Sequence, residues 1–324
     1  MTQMTAIEHG QGGGPEVLVP AARPVPVPGP GEVLVKVTAA GVNGPDLMQR
    51  RGLYPPPKGA SDLLGLEVSG EIVGLGEGAT RWEVGDRICA LTNGGGYADC
   101  VTVLEGHCLP LPPGVPERDA AGLPETYFTV WSNFFHHAAP PEGGLMLVHG
   151  GAGGIGSTAI QLGAALGLRV FATEAAGGLD FCRGLGAERA IDYASEDFVE
   201  IVRAAGGADL ILDIVGGPTI AKNIKAARHD ARIVNLAYNA GSEVTLNMMP
   251  VMLKRLVLTG STLRSRPDAF KAAVARELED RVWPLFGAGR LKPVTHTVLP
   301  LAEAAEAHRL MESAGHRGKI LLTP

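Results

Sequence analysis

Residues 147–161 read Leu-Val-His-Gly-Gly-Ala-Gly-Gly-Ile-Gly-Ser-Thr-Ala-Ile-Gln, and Gly151, Gly153 and Gly156 within them have the G-x-G-x-x-G spacing. Each glycine of that pattern has its own physical task where it follows a strand and opens a helix. One permits a tight turn, the next lets the backbone approach a pyrophosphate, and the third lets helix and strand pack closely. The free amides at the helix start then face the phosphate charge. The expected contacts run along the backbone of Gly150, Gly151, Gly153, Gly154, Ile155 and Gly156. In a chain with 45 glycines the spacing alone is a weak signal, and a turn that binds nothing is the alternative. The strand before it and the helix after it decide for a dinucleotide. No Gly-Lys-Ser/Thr follows, which disfavours a phosphate-loop NTPase. Glu174 stands at the end of the next strand, 18 residues beyond Gly156. A carboxylate there can accept hydrogen bonds from the adenosine ribose and repels a 2′-phosphate. Ala175, Ala176, Gly177 and Gly178 offer no cation or hydroxyl to hold that phosphate, which favours NADH over NADPH. A solvated carboxylate at a loop start is a reading of equal weight.

The elements that position this turn alternate apolar strands with helical segments from about Leu123 onward, the pattern of a parallel sheet. Strands are expected at 145–149, 169–173, 190–193, 210–215, 232–237 and 257–260, with helices at 155–166, 179–184, 195–204 and 218–228. Six strands in two βαβαβ halves is the dinucleotide-binding count. Before Leu123 the chain reads as strands and turns, at 31–39, 66–73, 87–91 and 97–103, punctuated by Gly and Pro. After Pro267 a helix is expected to about Phe286, then a strand at 295–299, a helix from Leu301 to about Ala314, and a last strand at 318–322.

The bulk numbers limit the classes. The chain has 324 residues, 45% hydrophobic and 19% charged, which suits about two domains with sizeable cores. A formal net charge of −6 and no basic run give no reason to expect nucleic acid or an anionic membrane as partner. The uncharged stretch from Gly143 to Leu168 is long enough to span a bilayer. Its nine glycines and Gln161 read instead as a buried strand, a turn and a buried helix. Cys89, Cys100, Cys108 and Cys182 form no Cys-x-x-Cys pair, and no signal peptide is visible at Met1 to Gly10. Reduced thiols and a cytoplasmic setting are therefore expected.

The order of motifs resembles the zinc-independent quinone oxidoreductases of the medium-chain dehydrogenase/reductase superfamily over nearly the whole chain. The residues that carry the resemblance are Gly41-Val42-Asn43-Gly44-Pro45-Asp46, Arg51-Gly52-Leu53-Tyr54-Pro55, 65–73, Val84-Gly85-Asp86-Arg87 and Gly95-Gly96-Tyr97-Ala98-Asp99. His149 to Gln161, Thr259 to Ser265 and Gly318-Lys319-Ile320 complete it. The last two are most similar to the branch that includes the tumour-suppressor-inducible quinone reductase. The resemblance implies an α/β architecture: a doubly wound, six-stranded Rossmann domain at 123–289, and a GroES-like β-rich substrate domain at 1–122 completed by 290–324. It also implies a homodimer joined edge to edge near Val251–Ser261.

The same resemblance points to Asn43 and Tyr54 as the catalytic residues and to Asn43, Thr129 and Tyr193 beside the cofactor. Leu236, Ala237, Thr262 and Leu263 are expected to supply backbone contacts at strand ends, and Lys319 to reach the cofactor from the tail. For Thr129 the bland alternative is a helix hydroxyl bonded to the preceding turn. Zinc relatives use a cysteine and the histidine of Gly-His-Glu as ligands. The matching places here carry Asn43 or its neighbours and Leu66, so no zinc is expected. Adjacent His136 and His137 would face different directions on a helix, which argues against a metal pair. The implied reaction is hydride transfer from NAD(P)H to a quinone or similarly activated carbonyl. The resemblance itself favours NADPH, but NADPH-using relatives carry a serine and a lysine near Glu174 to Leu179; this chain has neither and is one residue shorter there. Two alternatives stand beside it: an enoyl-thioester or activated-alkene reductase, and a non-catalytic, crystallin-like nucleotide-binding protein.

Overall fold

Alternation of small apolar and polar side chains builds the first part of the chain into strands, since successive residues of a strand face opposite sides. The computed structural model describes residues 3–136, 141–313 and 315–324. Its opening strands are β1 Gln3–Glu8, β2 Val19–Pro24, β3 Glu32–Gly41, β4 Glu67–Leu75, β5 Arg87–Leu91, β6 Cys100–Leu104 and β7 Cys108–Pro110. Three helices accompany them: α1 Gly44–Arg50, α2 Glu117–Ala120 and α3 Pro124–Phe134. Next come β8 Leu145–His149, α4 Gly154–Ala165, β9 Arg169–Glu174, α5 Leu179–Gly184, β10 Arg189–Asp192, α6 Phe198–Ala204, β11 Ala208–Asp213, α7 Pro218–Ala226, β12 Ala227–Asn235, α8 Met249–Lys254 and β13 Val257–Gly260. The chain closes with α9 Asp268–Arg281, α10 Trp283–Gly287, β14 Thr295–Pro300, α11 Ala304–Glu312 and β15 Lys319–Thr323.

The chain divides into one unit that ends at Phe128 and resumes at Arg264, and a second unit, Thr129–Leu263. In the first unit β3 is central. It pairs antiparallel with β4, β6 and the returning strand β15, giving the order β14-β15-β3-β4-β5-β7 with β6 on β3. Val33, Val35, Val37, Val68, Ile72, Ile88, Val101, Ile320 and Leu322 form its core. The tail strand therefore carries Lys319 into the middle of this sheet rather than to its surface.

In the second unit the order is β10-β9-β8-β11-β12-β13, and every neighbouring pair is parallel. This is the doubly wound 3-2-1-4-5-6 arrangement, and it reverses between β8 and β11. Ligands of such sheets bind at the carboxyl ends of the strands near that reversal. The turn after β8 is there. The expected Rossmann sheet and the β-rich partner are both present, and the uncharged stretch 143–168 forms β8, the glycine turn and α4. Among the described residues no helix is long and apolar enough to cross a membrane.

Three features differ from the sequence expectation. The helix expected from Pro267 to Phe286 breaks into α9 and α10, because Pro284 can donate no backbone hydrogen bond within a helix. The short elements α1, α2, β1, β2 and β7 carry too few periodic positions to be read in advance. The second domain boundary was expected at 289, whereas the second unit ends at Leu263. The reason is that α9 and α10 pack on the first unit: His107 Nε2 lies 3.2 Å from the Asp268 carbonyl, and Trp283 Nε1 donates to the Pro110 carbonyl at 2.7 Å.

Candidate active site

The glycine turn assigns separate causes to its glycines. Gly150 takes the left-handed φ of 71°, so the sharp turn falls one residue ahead of the spaced motif. Gly150 and Gly151 both donate to the Thr173 carbonyl, at 3.1 and 3.2 Å, which fastens the turn to β9. A Cβ on Gly156 would lie 2.1 Å from the Gly150 oxygen, so helix and turn touch there. A Cβ on Gly153 would meet only that oxygen, at 3.8 Å, and its φ of −70° suits any residue. Nothing in the protein requires a glycine at 153. The space it leaves lies over the first turn of α4, whose N–H groups have no intrahelical acceptors. A pyrophosphate fits that space and charge.

Glu174 bends back over this turn. Its Oε2 accepts from the Ala152 N–H at 2.8 Å and its Oε1 from the Ala175 N–H at 2.9 Å. Tyr193 follows β10 with its ring exposed and its N–H 3.3 Å from the Glu174 carbonyl. Leu236 and Ala237 follow β12, and Leu236 N–H donates to the Asp213 carbonyl at 2.8 Å. Thr262 and the buried Leu263 follow β13. The strand-end candidates thus all lie at the carboxyl end of one parallel sheet. Thr129 is buried in α3, where Thr126 Oγ1 donates to the Leu123 carbonyl at 3.2 Å and Ser132 Oγ to the Thr129 carbonyl at 3.3 Å.

A buried network that sequence reasoning missed holds these strand ends. His149 Nδ1 meets Thr173 Oγ1 at 2.8 Å and its Nε2 meets Asn223 Oδ1 at 2.8 Å. Asn223 and Asn235 donate to Asp213 Oδ2 at 2.9 and 3.1 Å, while Asp213 Oδ1 accepts from the Val215 and Gly216 amides. Burial lowers the His149 pKa, so the ring is neutral. A polar residue inside an otherwise apolar strand was the available signal, since buried polar groups must be paired.

In the first unit, Asn43 sits just before α1 and is buried. Its Nδ2 donates to Glu67 Oε1 at 2.9 Å, and its Oδ1 accepts from Lys319 Nζ at 2.5 Å. Lys319 Nζ also reaches Glu67 Oε1 at 2.7 Å and the Val42 carbonyl at 3.0 Å. Three acceptors thus take the three ammonium protons within the first unit. Lys319, expected to reach the cofactor from the tail, grips Asn43 in the structure. Glu67 is fully buried, and its Oε2 accepts the Glu125 N–H at 2.8 Å, in the first turn of α3. Gly41 makes room for this carboxylate, since a Cβ there would lie 2.0 Å from Glu67 Oε1. Neither Glu67 nor Gly41 is marked by type alone; their pairing across β3 and β4 is a tertiary event.

Asp46 closes the other side of Asn43. Its Oδ2 accepts the Asn43 N–H and its Oδ1 the Gly65 N–H, both at 2.9 Å. Burial pushes its carboxyl up to about 6 against these two hydrogen bonds. Behind it Tyr97 Oη lies 3.1 Å from His308 Nε2, and His308 Nδ1 lies 3.1 Å from Arg50 Nη1. Burial, then the Arg50 charge, lower the His308 pKa to about 3, so Nδ1 accepts from Arg50. Arg50 continues to Glu312 at 2.5 Å.

Tyr54 lies in the loop after α1, with the Arg264 guanidinium carbon 5.8 Å from its ring centroid. Arg264 is itself buried and fixed, donating to Gln49 Oε1 at 2.7 Å and from Nε to the Asn93 carbonyl at 2.9 Å. Arg264 also lines a cavity of about 690 Å³ in the first unit, together with Lys58, Ser61, Asn93, Arg266 and Lys271.

The donor set does not fit zinc. The places matching the catalytic ligands of zinc relatives hold an amide and a leucine, and the Lys319 ammonium already lies against Glu67 and Asn43. Catalytic zinc takes three protein ligands of the Cys, His or carboxylate type. Among the described residues no group of three such side chains could hold a metal. His107 is engaged with α9, and of the paired histidines only His136 is described, His137 lying outside the described residues.

The fold and the glycine turn define a nicotinamide-dinucleotide oxidoreductase, and comparison with known proteins agrees. Residues 29–140 match the model of the alcohol dehydrogenase GroES-like domain, and residues 185–322 that of a zinc-binding dehydrogenase. The chain is 30% identical over 328 residues to the quinone oxidoreductase of Mus musculus, covering 98% of this chain and 97% of that protein. It is 32% identical over 302 residues, 91% of its length, to a mycocerosic acid synthase-like polyketide synthase of Mycobacterium tuberculosis, of which it spans 14%. The crystal structure of Escherichia coli quinone oxidoreductase complexed with NADPH superposes with a TM-score of 0.87 at 26% identity, over 99% of this chain and 100% of that one. The chain belongs to the quinone oxidoreductase-like group of the medium-chain dehydrogenase/reductase superfamily. It is an NAD(P)-dependent oxidoreductase.

Proposed function

We propose that the protein transfers a hydride from a reduced nicotinamide to a quinone or similarly activated carbonyl, without zinc. The bound nicotinamide supplies the hydride. Gly150, Gly151, Gly153, Gly154, Ile155 and Gly156 hold its pyrophosphate, with Glu174, Tyr193, Leu236, Ala237, Thr262 and Leu263 along the same sheet end. Thr129 and Asn43 are the further residues proposed to serve the nicotinamide. Asn43, held by Glu67 and Lys319, borders the acceptor, and the Tyr54 hydroxyl donates a hydrogen bond to it. The observation that carries this reading is the Lys319 ammonium, fixed against Asn43 and Glu67 where a metal-dependent relative needs ligands. A quinone suits such a site, because its reduction is favourable without a strong Lewis acid and positioning supplies much of the rate. NADH is the preferred donor, because the Glu174 carboxylate is held over the glycine turn, where it would repel a 2′-phosphate.

Oxidation of NADH on addition of 1,4-benzoquinone or 9,10-phenanthrenequinone tests the reading, and no oxidation with either would refute it. An activated-alkene reductase is the second reading, supported by the polyketide synthase relative. Faster turnover of crotonyl thioester than of either quinone would favour it.

The partner set proposed is a small-molecule acceptor and a second copy of this chain, with no nucleic acid or membrane. Edge strand β13 and the exposed Met248, Met249, Met252, Leu253 and Val257 beside it support a homodimer, which light scattering would detect as twice the 33.6 kDa chain. Four buried cysteine thiols suit the proposed cytoplasmic setting.

A further inference from the structure

Two of the cations that line the cavity of the first unit are buried: Arg264 is 6% exposed and Lys271 1%. Both close on one residue. Arg264 donates from Nε and Nη2 to the Asn93 carbonyl at 2.9 and 2.5 Å, and Lys271 Nζ donates to Asn93 Oδ1 at 2.8 Å. Gly94 permits this approach, since a Cβ there would lie 3.0 Å from Arg264 Nη2 and 2.8 Å from the Ser61 carbonyl oxygen. The last partner of Arg264 is Gln49 Oε1, so every acceptor it meets is neutral. A guanidinium has five N–H donors, and one on Nη1 and one on Nη2 are left unspent by the protein. Among the described residues Arg264 forms no ion pair, and the carboxylate that Lys271 meets, the exposed Asp268, lies 3.7 Å away, longer than a hydrogen bond. Buried cations in such surroundings are costly, and an anion that takes their remaining donors offsets the cost.

The other charges of the cavity wall do not supply that anion. Asp62 is paired with Arg23 at 3.0 Å, and Glu32 accepts the Gly29 N–H at 2.8 Å. Lys58 and Arg266 are exposed and form no ion pair among the described residues; the Arg266 guanidinium carbon lies 3.9 Å from the Phe270 ring centroid. The wall therefore carries two cations that are buried and two that meet solvent, with no carboxylate hydrogen-bonded to any of the four.

We propose that this cavity receives an acidic substituent of the acceptor, a sulfonate, carboxylate or phosphate, on Arg264 and Lys271; this rests on the acceptor reading above. Arg264 is the link between the two places. Its guanidinium carbon is 5.8 Å from the Tyr54 ring centroid, and the same side chain lines the cavity. An acceptor at Tyr54 with an acidic group on its ring would meet both. Arginine takes such groups through two parallel N–H bonds, and the two unspent donors are on adjacent nitrogens. Lys58 and Arg266 raise the local concentration of an anion at the solvent side.

The test compares 1,4-naphthoquinone-2-sulfonate with 1,4-naphthoquinone, both reduced with NADH, by the ratio of their kcat/KM values. The intrinsic reactivities of the two quinones are common to every variant, so a change in the ratio reports recognition of the charge. Lys271→Met should lower the ratio at least about tenfold, the scale of one lost hydrogen bond to a charged group. Lys271→Arg should restore it to within about threefold of wild type. The double variant Lys58→Ala/Arg266→Ala, at two exposed positions, should lower it about two- to fivefold at low salt and less at high salt. NADH affinity by fluorescence checks the folding of each variant. A merely structural tie between α9 and Asn93 would slow both quinones alike. A ratio unchanged in Lys271→Met overturns the proposal and leaves the acceptor reading intact. Where Lys271→Met yields no folded protein, an unchanged ratio in the double variant at low salt overturns it. A wild type that oxidises NADH with neither quinone overturns both.

Discussion

The cofactor turn of the second unit is made of backbone, and the network around Asn43 in the first unit is made of side chains. The turn draws its parts from seven consecutive residues, Gly150 to Gly156, and its charge from orphan amides of α4. The network draws Asn43, Glu67, Glu125 and Lys319 from four parts of the chain, with Asn43 and its lysine 276 positions apart. The turn needs empty space and has it at Gly153. The network needs every partner, because a buried charge left alone costs more than the pair contributes. The first kind of site loses its ligand before its fold, and the second loses both together.

The largest effect should come from breaking the network. Lys319→Met would leave the Glu67 carboxylate buried without its ammonium and should destabilise the chain by about 3–5 kcal/mol, read by denaturant unfolding. A loss below about 1 kcal/mol would show that water reaches Glu67 and that the pair is not closed. At the turn, Gly153→Val should weaken dinucleotide binding by at least about a hundredfold, or about 2.7 kcal/mol. Its cost in stability should stay near that of a poor helix N-cap, about 1 kcal/mol. Unchanged calorimetric affinity would mean that the pyrophosphate does not enter that space.

The relay behind Asp46 gives a pH signature. His308 has a folded pKa near 3, below its ordinary value. Its contribution is therefore complete above about pH 6.5 and is lost as pH falls toward 3, by up to about 4 kcal/mol. Thermal unfolding across that window should show the loss, and His308→Gln should flatten it. An equal slope in both would assign the acid loss elsewhere. Tyr54→Phe should lower kcat about tenfold, or about 1.4 kcal/mol, if its hydroxyl serves the acceptor; a wild-type rate leaves it as the ring beneath Arg264. The smallest effect expected is for Glu174→Ser, a shift toward NADPH of about tenfold or less in the ratio of kcat/KM values. An unchanged ratio would show that the Ala152 amide, not a ribose, is the partner of Glu174.

The same contrast decides what the sequence could tell. Gly151, Gly153 and Gly156 are local, and their spacing names a task that each chain position can be checked against. Six apolar strands alternating with helices were legible for the same reason, and β5, β8 and β13 fall on the residues expected. The grip of Lys319 on Asn43 was not legible, because β15 reaches β3 only through the folded sheet. Glu67 lay within a quoted motif without a role, since nothing local distinguishes a buried, paired glutamate from a solvated one. Arg264 and Glu125 were passed over for the same reason. The end of the second unit at Leu263 was not legible, because His107 and Pro110, the partners of α9 and α10, are more than 150 residues away.

The most direct test is NADH oxidation at 340 nm with a quinone acceptor, using protein dialysed against a chelator and then with zinc restored. The account predicts full activity in the dialysed protein and no gain from zinc. Activity that disappears with the chelator and returns with zinc would contradict an acceptor site organised by the Lys319 ammonium.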